Sequence, residues 1–161
     1  MTDLAMRPAQ AADEDFLFEL YRGTRAEEMA AWGWDEAQQQ IFLSMQFKGQ
    51  SAHYAQYSNI DHRIILDGDR SIGRIFLSWL EGVMILVDIA LLPEYRGRGI
   101  GGALIKELLG EAERTGKTVQ LHVLKSNRAQ NLYRRFGFEV VEDAGSHWKM
   151  HWRGSPPKGD I

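Results

Sequence analysis

From about residue 60 onward the apolar positions fall into short runs separated by turn-forming residues. Residues 62–66 and 71–80 read as strands joined by Asp67-Gly68-Asp69, and residues 83–92 as a third strand reached through Glu81-Gly82. Turns this short make the neighbours antiparallel. The spacing then changes. Ile100, Leu104, Leu108 and Ala112 recur at helical intervals beside Ala103 and Leu109, and Gly116 stands at the expected stop, so residues 100–115 read as an amphipathic helix. Val119, Leu121 and Val123 alternate with Gln120 and His122, which predicts a strand over residues 118–125. A short helix over 129–136, closed by Gly137, precedes an antiparallel pair at 138–141 and 147–152. The strand at 83–92, its following helix and the strand at 118–125 form a β-α-β unit, so those two strands are expected to be parallel through a right-handed crossover.

The first sixty residues have a helical texture. Asp13 or Asp15 can cap a helix running through Arg22, and a second segment starts at Thr24 with Glu27 and Glu28 in its first turns, where negative charge suits the helix dipole. Trp32-Gly33-Trp34-Asp35 interrupts it, and a further helix from Asp35 carries Phe42, Met45 and Phe47 to an end near Lys48-Gly49. The fold class is α/β, a mixed and mostly antiparallel sheet flanked by helices. One domain is expected over residues 1–153, with a loose tail over 154–161 that contains Ser155-Pro156-Pro157.

Composition narrows the function classes. With 161 residues, 44% hydrophobic and 25% charged, the chain can close one core. A net charge of -3 leaves no basic footprint, so no nucleic-acid partner is expected. The lack of cysteine removes disulfides, thiolate zinc sites and a cysteine nucleophile together. There is no basic-then-apolar leader and no run near ~18 apolar residues, which points to a cytoplasmic protein with no membrane partner. His147 and His151 alternate with Trp148 and Trp152 but have no evident third ligand, so no metal site is expected.

The most informative stretch lies between the strand at 83–92 and the helix at 100–115, where Arg96, Gly97, Arg98, Gly99, Ile100, Gly101 and Gly102 follow Pro93-Glu94-Tyr95. Glycines let backbone N–H groups turn toward a ligand, a helix start adds unpaired donors and partial positive charge, and two guanidiniums supply full charge. That combination suits a pyrophosphate. Gly97, Gly99 and Gly102 also satisfy G-x-G-x-x-G, yet a dinucleotide site needs its turn directly after the strand and an acidic residue about twenty positions on, and residues 118–125 hold neither Asp nor Glu. The Gly-Lys-Ser/Thr ending of a nucleoside-triphosphate loop is also missing, since Gly101-Gly102-Ala103 stands there.

At this point the chain resembles the GNAT superfamily of acyl-CoA-dependent N-acetyltransferases, whose loop has the form Q/R-x-x-G-x-G/A, matched by Arg96 through Gly101. A second stretch, Asn127-Arg128-Ala129-Gln130-Asn131-Leu132-Tyr133-Arg134-Arg135-Phe136-Gly137-Phe138, is similar to that family's Asn, Ala, Leu-Tyr and Gly-Phe signature. The resemblance implies an acetyl-CoA co-substrate lying where the two parallel strands splay. Backbone groups of Ile89, Ala90, Leu91 and Leu92 would pair with the pantetheine arm, an amide near Ile89 would polarise the thioester carbonyl, and amides of residues 97–102 would hold the pyrophosphate. Asn127 would contact the cofactor arm, and Tyr133 stands where the family often uses a phenol to protonate the departing thiolate.

The reaction so implied is direct attack of a primary amine, on a small molecule or a protein, upon the thioester. An alkyl ammonium has a pKa of roughly 10.4, so a base, a water chain or desolvation must help near neutral pH. Glu27, Glu28, Asp35, Asp88 and His122 are the candidates, and Ile85 stands at the approximate position where some relatives carry a glutamate. Each has a plainer alternative: His122 as a packed or solvated strand residue, Asp88 in a structural ion pair, Tyr133 as a core aromatic. Glu27, Glu28, Trp32, Trp34 and Asp35 together read either as an acceptor pocket favouring a cationic amine or as helix packing. A non-catalytic acyl-CoA-binding sensor is the alternative to the enzyme, and a fold kept for dimerisation alone is a third. The oligomeric state, a homodimer included, is left open.

Overall fold

Among the described residues, eleven helices and strands follow in the order β1 (Leu4–Pro8), α1 (Glu14–Ala31), α2 (Glu36–Tyr54), β2 (Ile60–Asp67), β3 (Arg70–Leu80), β4 (Val83–Leu91), α3 (Ile100–Arg114), β5 (Thr118–Leu124), α4 (Ala129–Arg135), β6 (Glu139–Ala144) and β7 (His147–Trp152). Short 3-10 turns at Ala11–Asp13 and Pro93–Tyr95 precede α1 and follow β4. This computed structural model describes residues 3–154, except for the side chains of residues 26–28. The tail expected over 154–161 therefore lies, after Gly154, outside the described residues. The strands form a seven-stranded sheet in the order β1-β2-β3-β4-β5-β7-β6. β1 runs antiparallel to β2, β4 parallel to β5, and β7 antiparallel to both β5 and β6, so the mixed α/β class read from the sequence holds.

The chain divides into two units, one reaching to Phe76 and taking in Asp88–Arg96, the other comprising Leu77–Val87 and the chain from Gly97 on. In the first, Leu20 and Met29 of α1, Leu43 and Phe47 of α2, and Ile64, Ile65, Ile72 and Ile75 of the strands are buried. Each such side chain contributes roughly 1.5–3 kcal/mol by leaving water. Phe47 holds the helix pair together, its ring 5.4 Å from Phe18 and 5.7 Å from Tyr21. The entry to α1 is fixed by a two-pronged ion pair: Arg7 Nη1 donates to Asp13 Oδ2 at 2.8 Å and Nη2 to Oδ1 at 2.7 Å, while the Gln10 N–H also donates to Asp13 Oδ2. These donors hold the Asp13 carboxyl down at about 2.

Three details of this unit differ from the sequence reading. β1 was not expected: its ladder to β2 joins Leu4 to Asp67, a pairing between residues too distant in sequence for a local pattern to signal. α1 is one continuous helix through Gly23 and Thr24, not two. A glycine costs a helix about 1 kcal/mol, which packing readily outweighs, and Gly23 lies beside the Pro93 ring. α2 likewise runs past Lys48-Gly49 to Tyr54, whose ring packs 4.9 Å from that of Phe76. Its N-terminus was legible: the Asp35 side chain accepts from the Gln38 N–H at 2.8 Å, and the Gln38 side chain answers to the Asp35 N–H.

In the second unit α3 buries Ile100, Leu104, Ile105, Leu108, Leu109 and Ala112, the stripe anticipated from its periodicity. Met84, Leu86, Val119, Leu121, Phe138, Met150 and Trp152 are buried as well. The helix closes in a Schellman pattern, with the Gly116 and Lys117 amides donating to the Glu113 and Ala112 carbonyls. Lys117 Nζ donates to the Leu80 carbonyl, anchoring the start of β5.

Gly73 is the tightest point of the first unit. A Cβ there would lie 2.3 Å from the Ala90 carbonyl oxygen and 2.9 Å from Leu91 Cδ2. Gly73→Ala is expected to lower stability by about 1–3 kcal/mol, read as a lower urea midpoint at unchanged slope. Two ionisable groups of this unit with large shifts contribute to the acid response. Burial, and then the charge of Arg74, lower the His62 pKa from 6.5 to about 4, so the unfolded chain takes up this proton first and stability falls as pH drops from about 6.5 toward 4. Asp13 contributes above its unfolded pKa, and that part is lost as pH falls from about 4 toward 2. Urea midpoints between pH 7 and 2.5 are expected to lose the first slope in His62→Gln and the second in Asp13→Asn.

Candidate functional site

The parallel ladder between β4 and β5 is short, running from Val83↔Thr118 to Leu86↔Leu121. β4 continues to Leu91 with its edges in different employment. The Ala90 carbonyl approaches Gly73 of β3, and the Leu92 N–H donates to the Ile72 carbonyl at 2.8 Å. Backbone groups alternate between the two edges of a strand, so Ile89 and Leu91 present theirs away from β3. Of the four residues expected along the pantetheine arm, these two have the right orientation to pair with an extended ligand, while Ala90 and Leu92 face the sheet. Arg96 Nε donates to the Leu91 carbonyl at 3.1 Å, a role its place in the glycine motif did not reveal.

Tyr95, also missed in the sequence, anchors the turn ahead of the loop. Its ring is buried, its hydroxyl donates to Asp67 Oδ2 at 2.9 Å, and the Arg70 guanidinium lies 5.3 Å from the ring centroid. Arg70 Nη2 also pairs with Glu94 Oε1 at 2.7 Å. A turn fixed at two successive residues gives the following loop a rigid start.

In the second unit the loop enters α3 with Gly97 at φ 73° and Gly99 at φ 79°, and Gly99 is the N-cap residue. This left-handed backbone favours glycine. No side chain caps the helix and its first turn carries no acidic residue, so the early amides up to Gly102 keep the donors an anion needs. A Cβ at Gly97 or Gly99 would meet nothing within 4 Å, whereas one at Gly101 or Gly102 would lie 3.7 Å from the Leu132 side chain of α4. The first two glycines thus face open space, and the last two face the Leu132 side chain at ordinary contact distance. Arg96 and Arg98 are exposed, and Ile100 is buried. The elements present therefore suit a pyrophosphate.

Asn127 acts locally, its Oδ1 accepting from the Ala129 N–H at 2.9 Å to start α4. Gln130, unremarked in the sequence, closes the same loop by donating from Nε2 to the Lys125 carbonyl at 2.6 Å and the Asn127 carbonyl at 3.1 Å. Tyr133 is 6% exposed, with its ring 5.6 Å from that of Phe138.

The candidate bases separate clearly. Asp88 is in a structural ion pair, its Oδ2 2.8 Å from Nη2 of Arg74. Asp35 caps α2, His122 is exposed on β5 opposite Lys149, and Ile85 carries no titratable group. The side chains of Glu27 and Glu28 lie outside the described residues. Trp32, Trp34 and Phe42 form an aromatic cluster with ring centroids 5.1–5.5 Å apart, and the indoles are 43% and 37% exposed. His147 Nδ1 lies 2.9 Å from Ser146 Oγ and His151 Nε2 3.1 Å from Thr118 Oγ1, and no metal-holding cluster of His, Asp or Glu occurs among the described residues. No described helix is long and apolar enough to cross a membrane.

Comparison with known proteins agrees with these features. The model of the acetyltransferase (GNAT) domain matches residues 58–140, just over half of the chain. The chain is 32% identical over 79 residues to a ribosomal protein bS18-alanine N-acetyltransferase of Haemophilus influenzae, covering 48% of this chain and 54% of that one. It is 32% identical over 82 residues to the thialysine N-epsilon-acetyltransferase of Mus musculus, covering 50% and 48%. The match thus spans about half the length of these curated relatives. Among solved structures, the PaiA N-acetyltransferase of Thermoplasma acidophilum in complex with coenzyme A superposes with a TM-score of 0.71 at 22% identity, covering 93% of this chain and 98% of that one, which shows a shared fold. The glycine loop, the short parallel ladder and the matching domain model together place the chain in the GNAT family of acetyl-CoA-dependent N-acetyltransferases.

Proposed function

We propose that this protein transfers the acetyl group of acetyl-CoA to a primary amine by direct attack on the thioester. The observation that carries this reading is the start of α3: a left-handed glycine cap, no acidic residue in the first turn and two exposed arginines beside it. In the reaction the amine nitrogen forms a bond to the carbonyl carbon, the carbon–sulfur bond breaks, and the amine loses a proton as the thiolate gains one. The amides from Gly97 to Gly102 and the guanidiniums of Arg96 and Arg98 bind the pyrophosphate. Ile89 and Leu91 pair with the pantetheine amides, and the Ile89 N–H polarises the thioester carbonyl. Asn127 contacts the cofactor arm through what its helix-starting role leaves free, and Tyr133 gives the proton to the departing thiolate. The acceptor panel starts from what the relatives act on, the alanine amine of a ribosomal protein and the thialysine side-chain amine. A second reading, a sensor that binds acyl-CoA without turnover, is favoured by Ile85 and by the engagement of Asp88 with Arg74.

Calorimetric titration with acetyl-CoA and with CoA, followed by thiol release across those amines, tests both readings. Binding with release supports the transferase, binding without release on any amine supports the sensor, and no binding overturns both. Gly99→Asp is expected to abolish CoA binding, because it places a carboxylate at the helix start in a conformation that aspartate tolerates. Gly99→Asn, of the same shape and without the charge, is expected to weaken binding far less. Equal affinities in all three proteins would remove the loop from the site. Tyr133→Phe is expected to leave CoA affinity unchanged and slow transfer by about 100-fold. A wild-type rate would make Tyr133 a core aromatic only.

A further inference from the structure

A cavity of about 330 Å³ lies wholly within the first unit, lined by the start of α1, the end of α2 and the strands β2 and β3. The volume is that of a small-molecule pocket, since a water molecule takes up about 30 Å³ of the liquid. Its walls combine apolar surface from Leu17, Phe47, Ile60 and Phe76 with the nitrogen-bearing side chains of His62 and Arg74. His62 Nε2 is buried and has no hydrogen-bond partner among the described residues. A buried polar atom left without a partner destabilises the fold, so a ligand that supplies one is favoured there.

Arg74 is the other half of the arrangement. Its side chain is 8% exposed, Nε and Nη2 engage Asp88 Oδ2 at 3.0 and 2.8 Å, Nη2 also donates to Gln50 Oε1 at 2.9 Å, and its Cζ lies 5.2 Å from the Tyr54 ring centroid. The guanidinium is thereby held in place, with Nη1 outside these bonds. We propose that this cavity binds a small organic carboxylate, one oxygen accepting from His62 Nε2 and the other from Arg74 Nη1, with its apolar body against Phe47 and Phe76.

An anion fits better than a cation for electrostatic reasons. The charge of Arg74 reaches the imidazole and, after burial, is the largest cause of its depressed pKa, larger than the opposing effect of Asp13 or of Asp61 taken singly. A neutral imidazole that carries its proton on Nε2 then offers a donor beside a fixed guanidinium. An ammonium ion would meet N–H donors rather than acceptors at His62 Nε2 and Arg74 Nη1, although Glu14 at the rim would attract it. The proposal does not rest on acetyl transfer.

The test titrates the full chain with benzoate, hexanoate and the uncharged benzamide, following heat and the His62 ring signals by nuclear magnetic resonance. Benzoate is expected to bind about 10-fold more tightly than benzamide, as charge-assisted hydrogen bonds require, and to raise the His62 titration midpoint from about 4. His62→Ala is expected to weaken benzoate about 10-fold. Ser51→Trp, a substitution at an exposed residue of the cavity wall, is expected to abolish its binding. Equal affinity for acid and amide, binding unaffected by both substitutions, or a ring that senses an ordered water only would overturn the proposal. CoA titrated into the same samples reports on the transferase reading separately, so loss of one signal with retention of the other identifies which idea has failed.

Discussion

Every backbone N–H and C=O that a ladder releases must be given to something else, and β4 is the strand on which that requirement bears most heavily. Its paired stretch with β5 ends at Leu86, yet the strand runs on to Leu91. One edge of that extension stays with β3, so closely that the facing residue must be Gly73. The other edge holds Ile89 and Leu91, and Arg96 already takes the Leu91 carbonyl. An extended ligand with amides of its own is the chemical complement of such an edge, in the way that a peptide completes an open sheet. Arg96 thus has a structural duty on the strand in addition to its charge, and the first arginine of the loop motif is tied to the strand before the glycines begin.

How much of this was legible follows from the range of each interaction. The α3 stripe, the hairpin turns and the glycine cap are set by residues within a few positions of one another, and the sequence shows them directly. The Asp35 capping box was equally local. β1 was invisible because its partner lies some sixty residues away, and Gly23 and Gly49 read as helix breaks because the packing that overrides them is tertiary. At the site, Tyr95 and Gln130 escaped for a similar reason. Their partners are Asp67 in one case and backbone carbonyls in the other, and neither leaves a pattern in composition or spacing.

The polar interior of the first unit was likewise beyond the sequence. Asp88 in an apolar strand signalled that a partner must exist but not which one. The partner is Arg74 on β3, itself braced by Gln50 and stacked near Tyr54, whose phenol pKa burial and then the charge of Asp88 push up to about 12. Three elements, α2, β3 and β4, therefore contribute to one partly buried charge pair. Removing a single member of such a pair strands the other charge, which is costlier than never having buried either. Burial, and then the same guanidinium, lower the His62 pKa, so the imidazole and the ion pair are electrostatically linked.

This bears on the proton that an acceptor amine must lose. At pH 7 an alkylamine with a pKa near 10.4 is in its free-base form in only about one molecule in 2,500. Ile85 carries no titratable group, Asp88 would have to leave Arg74 to act, and Asp35 would have to uncap α2. His122 is exposed on β5 opposite Lys149, open to solvent. Among the described side chains, then, the carboxylates and the imidazole named as bases are either tied to structural partners or open to solvent. Deprotonation through a water chain, or by desolvation of the ammonium as it leaves bulk water, makes fewer demands on these residues than any one of them acting as a dedicated base. On the proposed reading, the chemistry left to the protein is placement: a strand edge would take the arm, a helix start would take the phosphates, and the neutral fraction of the amine would do the rest.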